Sequence, residues 1–428
     1  MRRSITGLVV WVSLARPAGA IGQPPPAPPP PNAPAAVEPS PPAPPPVDVP
    51  APTYGPTLPE NVGAFDVLFG DTPVGRFLAD ERVRTFGWVS AGYTASSGGS
   101  GQLAVQPREN RYGDDFLVNQ IAIVTERTLD PSQLSFGYRA TLWAGADPAL
   151  IQPLGGVGSS STNPRFGVDF RELYLSAHLT ILTEGGVDLK IGRQNSVIGY
   201  ESALAPYRPL YSNSYQWFYS EDGAFTGLVA AWNVTPRLTV VNGLTMGGNT
   251  FFTFRDGGPC YIGQVNYWLT DQKRTKLSAA VYTGPGSILA SQPAGEGRNE
   301  TMVELRVQHD WTPRVTQVVQ SNMGWATGVP GFGTGAWYGV YTIGIFHLTP
   351  KLDLNTRAEW FNDADGTRTG FATNYSEVTL GLNCMPLPWL NFRPEIRGDF
   401  AGEAVFGSDP NTRTRNQLTV AGEVLVKF

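Results

Sequence analysis

Gln417-Leu418-Thr419-Val420-Ala421-Gly422-Glu423-Val424-Leu425-Val426-Lys427-Phe428 is the stretch on which the fold turns. Leu418, Val420, Val424, Val426 and Phe428 share one parity, and Gln417, Thr419, Glu423 and Lys427 share the other. Such period-two alternation marks a strand with one apolar and one polar face. A soluble sheet turns the apolar face toward a core, whereas a membrane barrel turns it toward lipid.

Upstream segments repeat the pattern with a more heavily charged polar face. In Trp389 to Phe400, Leu390, Phe392, Ile396 and Phe400 oppose Asn391, Arg393, Glu395, Arg397 and Asp399. In Lys351 to Phe361, Leu352, Leu354, Ala358 and Trp360 oppose Lys351, Asp353, Asn355, Arg357 and Glu359. Val303, Leu305 and Val307 oppose Glu304, Arg306 and Gln308, and Leu134, Phe136, Tyr138 and Leu142 oppose Ser135, Arg139 and Thr141. A Lys or Arg facing the bilayer midplane costs roughly 2 to 4 kcal/mol, so charges at this density require a wet interior. In hydrocarbon every backbone polar group must pair within the protein, which a closed barrel achieves. Gln317 and Asn242 interrupt the alternation in Arg314 to Trp325 and Arg237 to Met246. Trp232, Trp268, Trp311, Phe346, Trp360 and Trp389 fall near strand ends, as interfacial girdles require.

The connections come in two kinds. Tight reversals occur at Leu129 to Ser132, Thr183 to Gly186, Asn233 to Arg237, Leu269 to Arg274, Asp310 to Arg314, His347 to Lys351 and Met385 to Pro388. Each uses Pro, Gly or Asp, and three share Thr-Pro-Arg/Lys. Longer polar, Gly-rich loops alternate with them at Ala95 to Asp115, Ala146 to Gly167, Gln194 to Asp222, Gly247 to Pro259, Pro285 to Asn299, Thr327 to Gly335, Asn362 to Thr373 and Ala401 to Asn416. Together they predict about sixteen antiparallel strands over residues 81–428, a transmembrane β-barrel with short turns on one rim and long loops on the other. A barrel of that size leaves an aqueous channel.

The rest of the 428-residue chain sets boundaries. Helical membrane spans are excluded by a mean hydropathy of −0.16 and by the lack of a long apolar run after the N-terminus. A net charge of −5 is of the wrong sign for a nucleic-acid surface. Arg2 and Arg3, the apolar Ile5 to Ala15 and the small Ala18-Gly19-Ala20 read as a signal peptide over residues 1–20. Residues 21–80 read as a Pro-rich periplasmic linker, densest from Gln23 to Glu60, whose composition favours extended polyproline II. Such a spacer reaches on the order of 100 Å. The two cysteines, Cys260 and Cys384, make no disulfide framework.

Gly192-Arg193, Gly199-Tyr200-Glu201, Ala205-Pro206 and Tyr211-Ser212-Asn213-Ser214-Tyr215 together resemble the signature of the "putative beta-barrel porin-2" family of bacterial outer-membrane proteins. Arg357-Ala358-Glu359-Trp360-Phe361-Asn362-Asp363-Ala364-Asp365-Gly366-Thr367-Arg368 resembles its second motif, and Phe136-Gly137-Tyr138-Arg139 with Gly145-Ala146-Asp147 its early strand. The resemblance spans Arg82 to Phe428 and implies a porin-like barrel without naming a solute. The terminal Phe428 resembles the signal read by the outer-membrane barrel assembly machinery.

Function is therefore expected from the barrel interior. Arg139, Glu304, Arg306, Asp353, Arg357, Glu359, Arg393, Glu395, Arg397 and Asp399 are the expected pore-lining charges; their mixed signs suggest weak ion selectivity or mutual neutralisation. The longest loop, Gln194 to Asp222, is the third long loop, the one sixteen-stranded porins generally fold inward. Arg193, Tyr200, Glu201, Arg208, Tyr211 and Tyr215 are its expected constriction residues. Small hydrophilic solutes and outer-membrane lipid are the expected partners, a homotrimer is an expected assembly, and a Gram-negative-type outer membrane is the expected location. No cofactor, metal or catalytic residue is expected. Asp363-Ala364-Asp365-Gly366 starts like a calcium loop but lacks the later ligands, and His178, His309 and His347 have no metal-ligand spacing. Two rival functions remain: a structural or adhesive barrel tethered by its Pro-rich segment, and a barrel-type lipase, which needs a lipid-facing Ser and His in register.

Overall fold

The computed structural model describes residues 70, 72–105, 110–156, 164–255, 257–285 and 298–428. The expected signal peptide and most of the expected linker lie outside the described residues. The linker's last stretch, Pro73–Asp80, forms a helix, α1, capped where Thr72 Oγ1 accepts from Gly75 N at 3.1 Å.

Sixteen barrel strands follow, with the two-residue strands Gly101–Gln102 and Tyr112–Gly113 paired separately in the first long loop: β1 Val83–Ser96, β2 Asp115–Arg127, β3 Ser135–Gly145, β4 Gly167–Leu179, β5 Val187–Asn195, β6 Ala224–Thr235, β7 Leu238–Gly248, β8 Cys260–Trp268, β9 Thr275–Gly284, β10 Asn299–Thr312, β11 Val315–Val329, β12 Gly333–Thr349, β13 Leu352–Asp363, β14 Thr373–Leu387, β15 Leu390–Ala401 and β16 Asn416–Lys427. Each pairs antiparallel with its sequence neighbours, and β16 pairs with β1 from Trp88↔Lys427 to Ser96↔Thr419, closing the barrel. Phe428 extends that seam by exchanging backbone hydrogen bonds with Gly87 at 2.7 and 2.9 Å. Closure removes the edges that an open sheet would present unpaired to lipid.

Alternation sets which way each side chain faces. On β16, Leu418, Val420 and Val424 are exposed on the outside, while Thr419 and Glu423 are buried inside. The two interruptions have a physical explanation: both amides lie on the outer face and are hydrogen-bonded there. Asn242 Oδ1 accepts from Tyr261 OH at 2.7 Å; Gln317 accepts from Trp311 Nε1 at 3.0 Å and donates to Thr342 Oγ1 at 3.1 Å. Trp232, Trp311, Trp360 and Trp389 are exposed, as a girdle requires. Trp268 is different: it shares the inner-face parity of Ile262, Gln264 and Asn266.

The turns between even- and odd-numbered strands are short, and the loops on the other rim are mostly long. The expected loop Thr327 to Gly335 shrinks to residues 330–332, because the β11/β12 ladder runs on to Val329↔Gly333. Gly331 and Gly333, at φ +80° and +74°, supply the left-handed conformations that so tight a reversal needs.

Candidate functional site

The β5–β6 connection, residues 196–223, runs into the barrel and is held against its inner wall. Its backbone is organised locally by Pro206 in the 3₁₀ turn Ala205–Tyr207 and by the short helix α2, Tyr215–Ser220, whose N-cap Ser214 accepts from Trp217 N at 3.0 Å. Seven of its backbone N–H groups, those of Gly199, Tyr200, Ala205, Tyr211, Ser212, Tyr215 and Gln216, donate to inner-face side chains.

Strands β13 to β15 provide the densest contacts. Glu395 accepts from Tyr211 N, Ser212 N and Ser212 Oγ at 2.9, 3.1 and 2.5 Å. Glu359 accepts from Tyr215 N and Gln216 N at 2.7 and 2.6 Å. Arg357 donates to Ser212 O and pairs with Glu201 at 2.7 Å and with Glu377 at 2.5 Å. Arg397 donates to Asn213 O at 2.9 Å and pairs with Asp399, which accepts from Tyr215 OH at 2.7 Å. Arg393 pairs with Glu423 and donates to Arg208 O and Ala205 O at 2.6 and 2.9 Å. These charges are buried, which a buried ion lattice tolerates only when its hydrogen bonds are met.

Opposite strands complete the attachment. Gln120 on β2 accepts from Ala205 N at 3.0 Å and donates to Ala203 O at 2.7 Å. Gln264 on β8 donates to Val197 O at 2.5 Å, Gln320 on β11 accepts from Tyr200 N at 2.9 Å, and Trp337 on β12 donates to Ser220 Oγ at 3.0 Å. Gly199 N donates to Glu304 on β10. Gly199 has φ +94°, and a Cβ there would overlap the Glu221 carboxylate, so glycine is required on both counts.

Most expected lining residues thus bind the inward segment. Glu304, Arg357, Glu359, Arg393, Glu395, Arg397 and Asp399 all contact it, and Arg139 reaches Tyr207 OH at 3.3 Å while pairing with Glu126 and Glu172. Arg306 stays on the wall beside Glu304 at 3.6 Å, and Asp353 pairs with His347 near the turn rim at 2.7 Å. Of the expected constriction residues, Tyr200, Glu201, Arg208, Tyr211 and Tyr215 lie in the segment. Arg193 does not. It belongs to β5, where its guanidinium is held by Phe170 O, Thr250 O and Asn249 Oδ1 at 2.8, 2.5 and 3.2 Å. The adjacent Gly192, at φ +129°, displaces the strand from regular geometry there.

Several residues of the site were not anticipated. Glu377 sits in a strand whose charge is sparse, Gln120 and Gln320 carry no charge, and Glu221 and Asp222 end the segment itself. Burial, with Glu304 nearby, raises the Glu221 carboxyl well above the usual range. Burial likewise pushes Asp222 up to about 6.

The remaining motifs resolve as structure. Asp363 accepts from the backbone of Thr367, Arg368 and Thr369 at 3.0, 2.9 and 2.7 Å, a turn scaffold that directs Arg368 onto Glu300 and over the Trp337 ring. No group of residues that could hold a metal occurs among the described residues. His178 is buried on the inner face, paired with Asp188 at 2.7 Å. It stands opposite Ser135 in the β3/β4 ladder, an adjacency not evident from spacing, but the Ser135 hydroxyl donates to Asp130 O and accepts from Asp130 N.

The family model "Putative beta-barrel porin-2, OmpL-like" matches residues 82–428. The chain belongs to this family. No curated protein matches it. Among solved structures, OmpF of Salmonella typhi in complex with daunomycin is 11% identical, with 82% of this chain and 99% of that chain covered and a TM-score of 0.55. The high-pH structure of Pseudomonas putida OprB is 12% identical, with coverages of 84% and 97% and a TM-score of 0.54. The outer membrane channel DcaP of Acinetobacter baumannii is 10% identical, with coverages of 81% and 97% and a TM-score of 0.52. At these identities the likeness is one of fold.

Proposed function

We propose that this porin-family barrel sits in the outer membrane of a Gram-negative-type bacterium and forms a channel for passive diffusion of small hydrophilic solutes or ions. The inward segment 196–223 narrows it. One observation carries this function: a sixteen-stranded barrel with an apolar exterior has an interior lined by charge, and a loop is fixed inside it by that charge. Membrane barrels of this strand number enclose water, and an internal loop sets how much can pass. OmpT of Vibrio cholerae is known in a trimer form, and a homotrimer is the assembly proposed here.

Reconstitution of the full chain in planar bilayers tests the proposal. Stepwise conductance is expected, with larger steps when Glu395→Gln loosens the segment. Folded protein that never conducts, in either form, overturns it and favours the tethered structural barrel. That alternative has its own support, since the segment contacts inner-face residues on β2, β8, β10, β11, β12, β13 and β15.

A further inference from the structure

Charges on the inner wall divide by accessibility. Among the strand residues of inner-face parity, the carboxylates Asp169, Glu172, Glu300, Glu304, Glu359, Asp363, Glu377, Glu395, Asp399 and Glu423 are buried. The four that water reaches are each engaged: Asp115 with Arg165 at 2.5 Å, Glu126 with Arg139 at 2.7 Å, Asp188 with His178 at 2.7 Å, and Asp310 with Thr316 Oγ1 at 2.6 Å. The partly or fully exposed cations are more numerous. Arg84, Arg139, Lys190, Lys276, Arg306 and Lys427 lie on β1, β3, β5, β9, β10 and β16, in the turn-side part of the barrel.

Two of these cations form a pair next to the inward segment. Lys276 pairs across the β9/β10 ladder with Gln308, and Arg306 with Ser278, so the two are diagonal neighbours on one face. Diagonal partners in an antiparallel sheet lie about 7 to 8 Å apart, within joint reach of one small anion. Arg306 stands two residues toward the turn rim from Glu304, where the segment is anchored through Gly199 N; it pairs with Glu304 at 3.6 Å and keeps 10% of its side chain in reach of water. Lys276 makes no ion pair among the described residues; its ammonium lies 5.8 Å from the centre of the Trp268 ring. That inner-face tryptophan backs the cation without neutralising it.

We propose, on the premise that the barrel conducts, that its water-accessible path prefers anions and that Lys276 and Arg306 form the anion-coordinating step beside the inward segment. The chain's net charge of −5 points the other way, but the acidic groups that dominate the interior are buried in contacts with the segment and with arginines. A permeating ion responds most strongly to the charges that water reaches beside it, and rings of Arg or Lys in a low-dielectric wall favour anions.

The test is a reversal-potential measurement on the full chain in planar bilayers under a potassium chloride gradient. A chloride-over-potassium permeability ratio of roughly 2 or more is expected for the wild type. The double substitution Lys276→Glu with Arg306→Glu is expected to bring the ratio below one, Lys276→Gln to lower it partway, and Glu403→Gln, at an exposed loop pair, to leave it unchanged. A cation-preferring wild type overturns the inference even if the double variant fails to fold, as does a folded double variant with an unaltered ratio. Absence of any conductance instead defeats the premise, a distinguishable outcome.

Discussion

Two parts of the same inner wall use charge in opposite ways. On β13 to β15, Arg357, Glu359, Glu377, Glu395, Arg397 and Asp399 are buried and nearly all spent on one another or on the inward segment. On β9 and β10, Lys276 and Arg306 remain within reach of water. The first group serves as mortar, and the second keeps an edge in water. Their residue types are similar; what separates them is whether a segment of chain lies over them.

That contrast can be broken most severely at Arg357. Arg357→Ala strands Glu201 and Glu377 without their shared cation, and removing one partner of a buried pair costs about 3 to 5 kcal/mol. Lower resistance to thermal unfolding and larger, noisier conductance steps are the expected outcome; unchanged unfolding would mean the lattice does not hold the segment. Glu395→Gln keeps the shape but weakens three hydrogen bonds to a charged acceptor, so a loss of about 1.5 to 3 kcal/mol is expected by the same melting measurement.

Acidity supplies a milder lever. Asp222 titrates at about 6 in the folded chain against an ordinary 3.8, so the folded state holds the proton more tightly than the unfolded one. The attached state is therefore favoured fully below pH about 4 and loses that advantage as pH rises through 6. Glu221 shifts in the same direction. Conductance through the wild type is expected to be smaller at pH 4 than at pH 7, and Asp222→Asn to flatten the difference; a profile that Asp222→Asn leaves unchanged would sever this link. At the small end, Lys276→Gln is expected to change stability by no more than about 0.5 kcal/mol, a surface-like effect, while still altering ion preference.

The barrel was legible because strands facing lipid on one side and water on the other cannot hide their period. The charges on β10, β13 and β15 revealed the inner face, and alternation of short turns with long loops revealed the strand number. Gln317 and Asn242 obscured it only because their outward amides are satisfied by neighbours from adjacent strands, a cross-strand fact with no local trace. The site was half legible. Tyr200, Glu201, Arg208, Tyr211 and Tyr215 stood out, but Gln120 and Gln320 carry no charge to betray them. Arg193 misled through its proximity in sequence to a segment it does not join. Burial was the least legible property, since nothing in the spacing of Glu359 and Arg306 says that one is fully covered and the other keeps an edge in water.

The seam gives the inward segment a place in time as well as in space. Tyr211 donates to Asn119 on β2 at 2.9 Å, and its ring sits so close to Gly92 on β1 that a side chain there would collide with it. The neighbouring Ser212 is held by Glu395 on β15. Its anchors therefore come from both ends of the chain, nearly two hundred residues away on one side and about a hundred on the other. They can act together only once β15 has been brought round to β1 and β2. The complete latch therefore exists only in the shut cylinder, and its full set of contacts reports that assembly is finished.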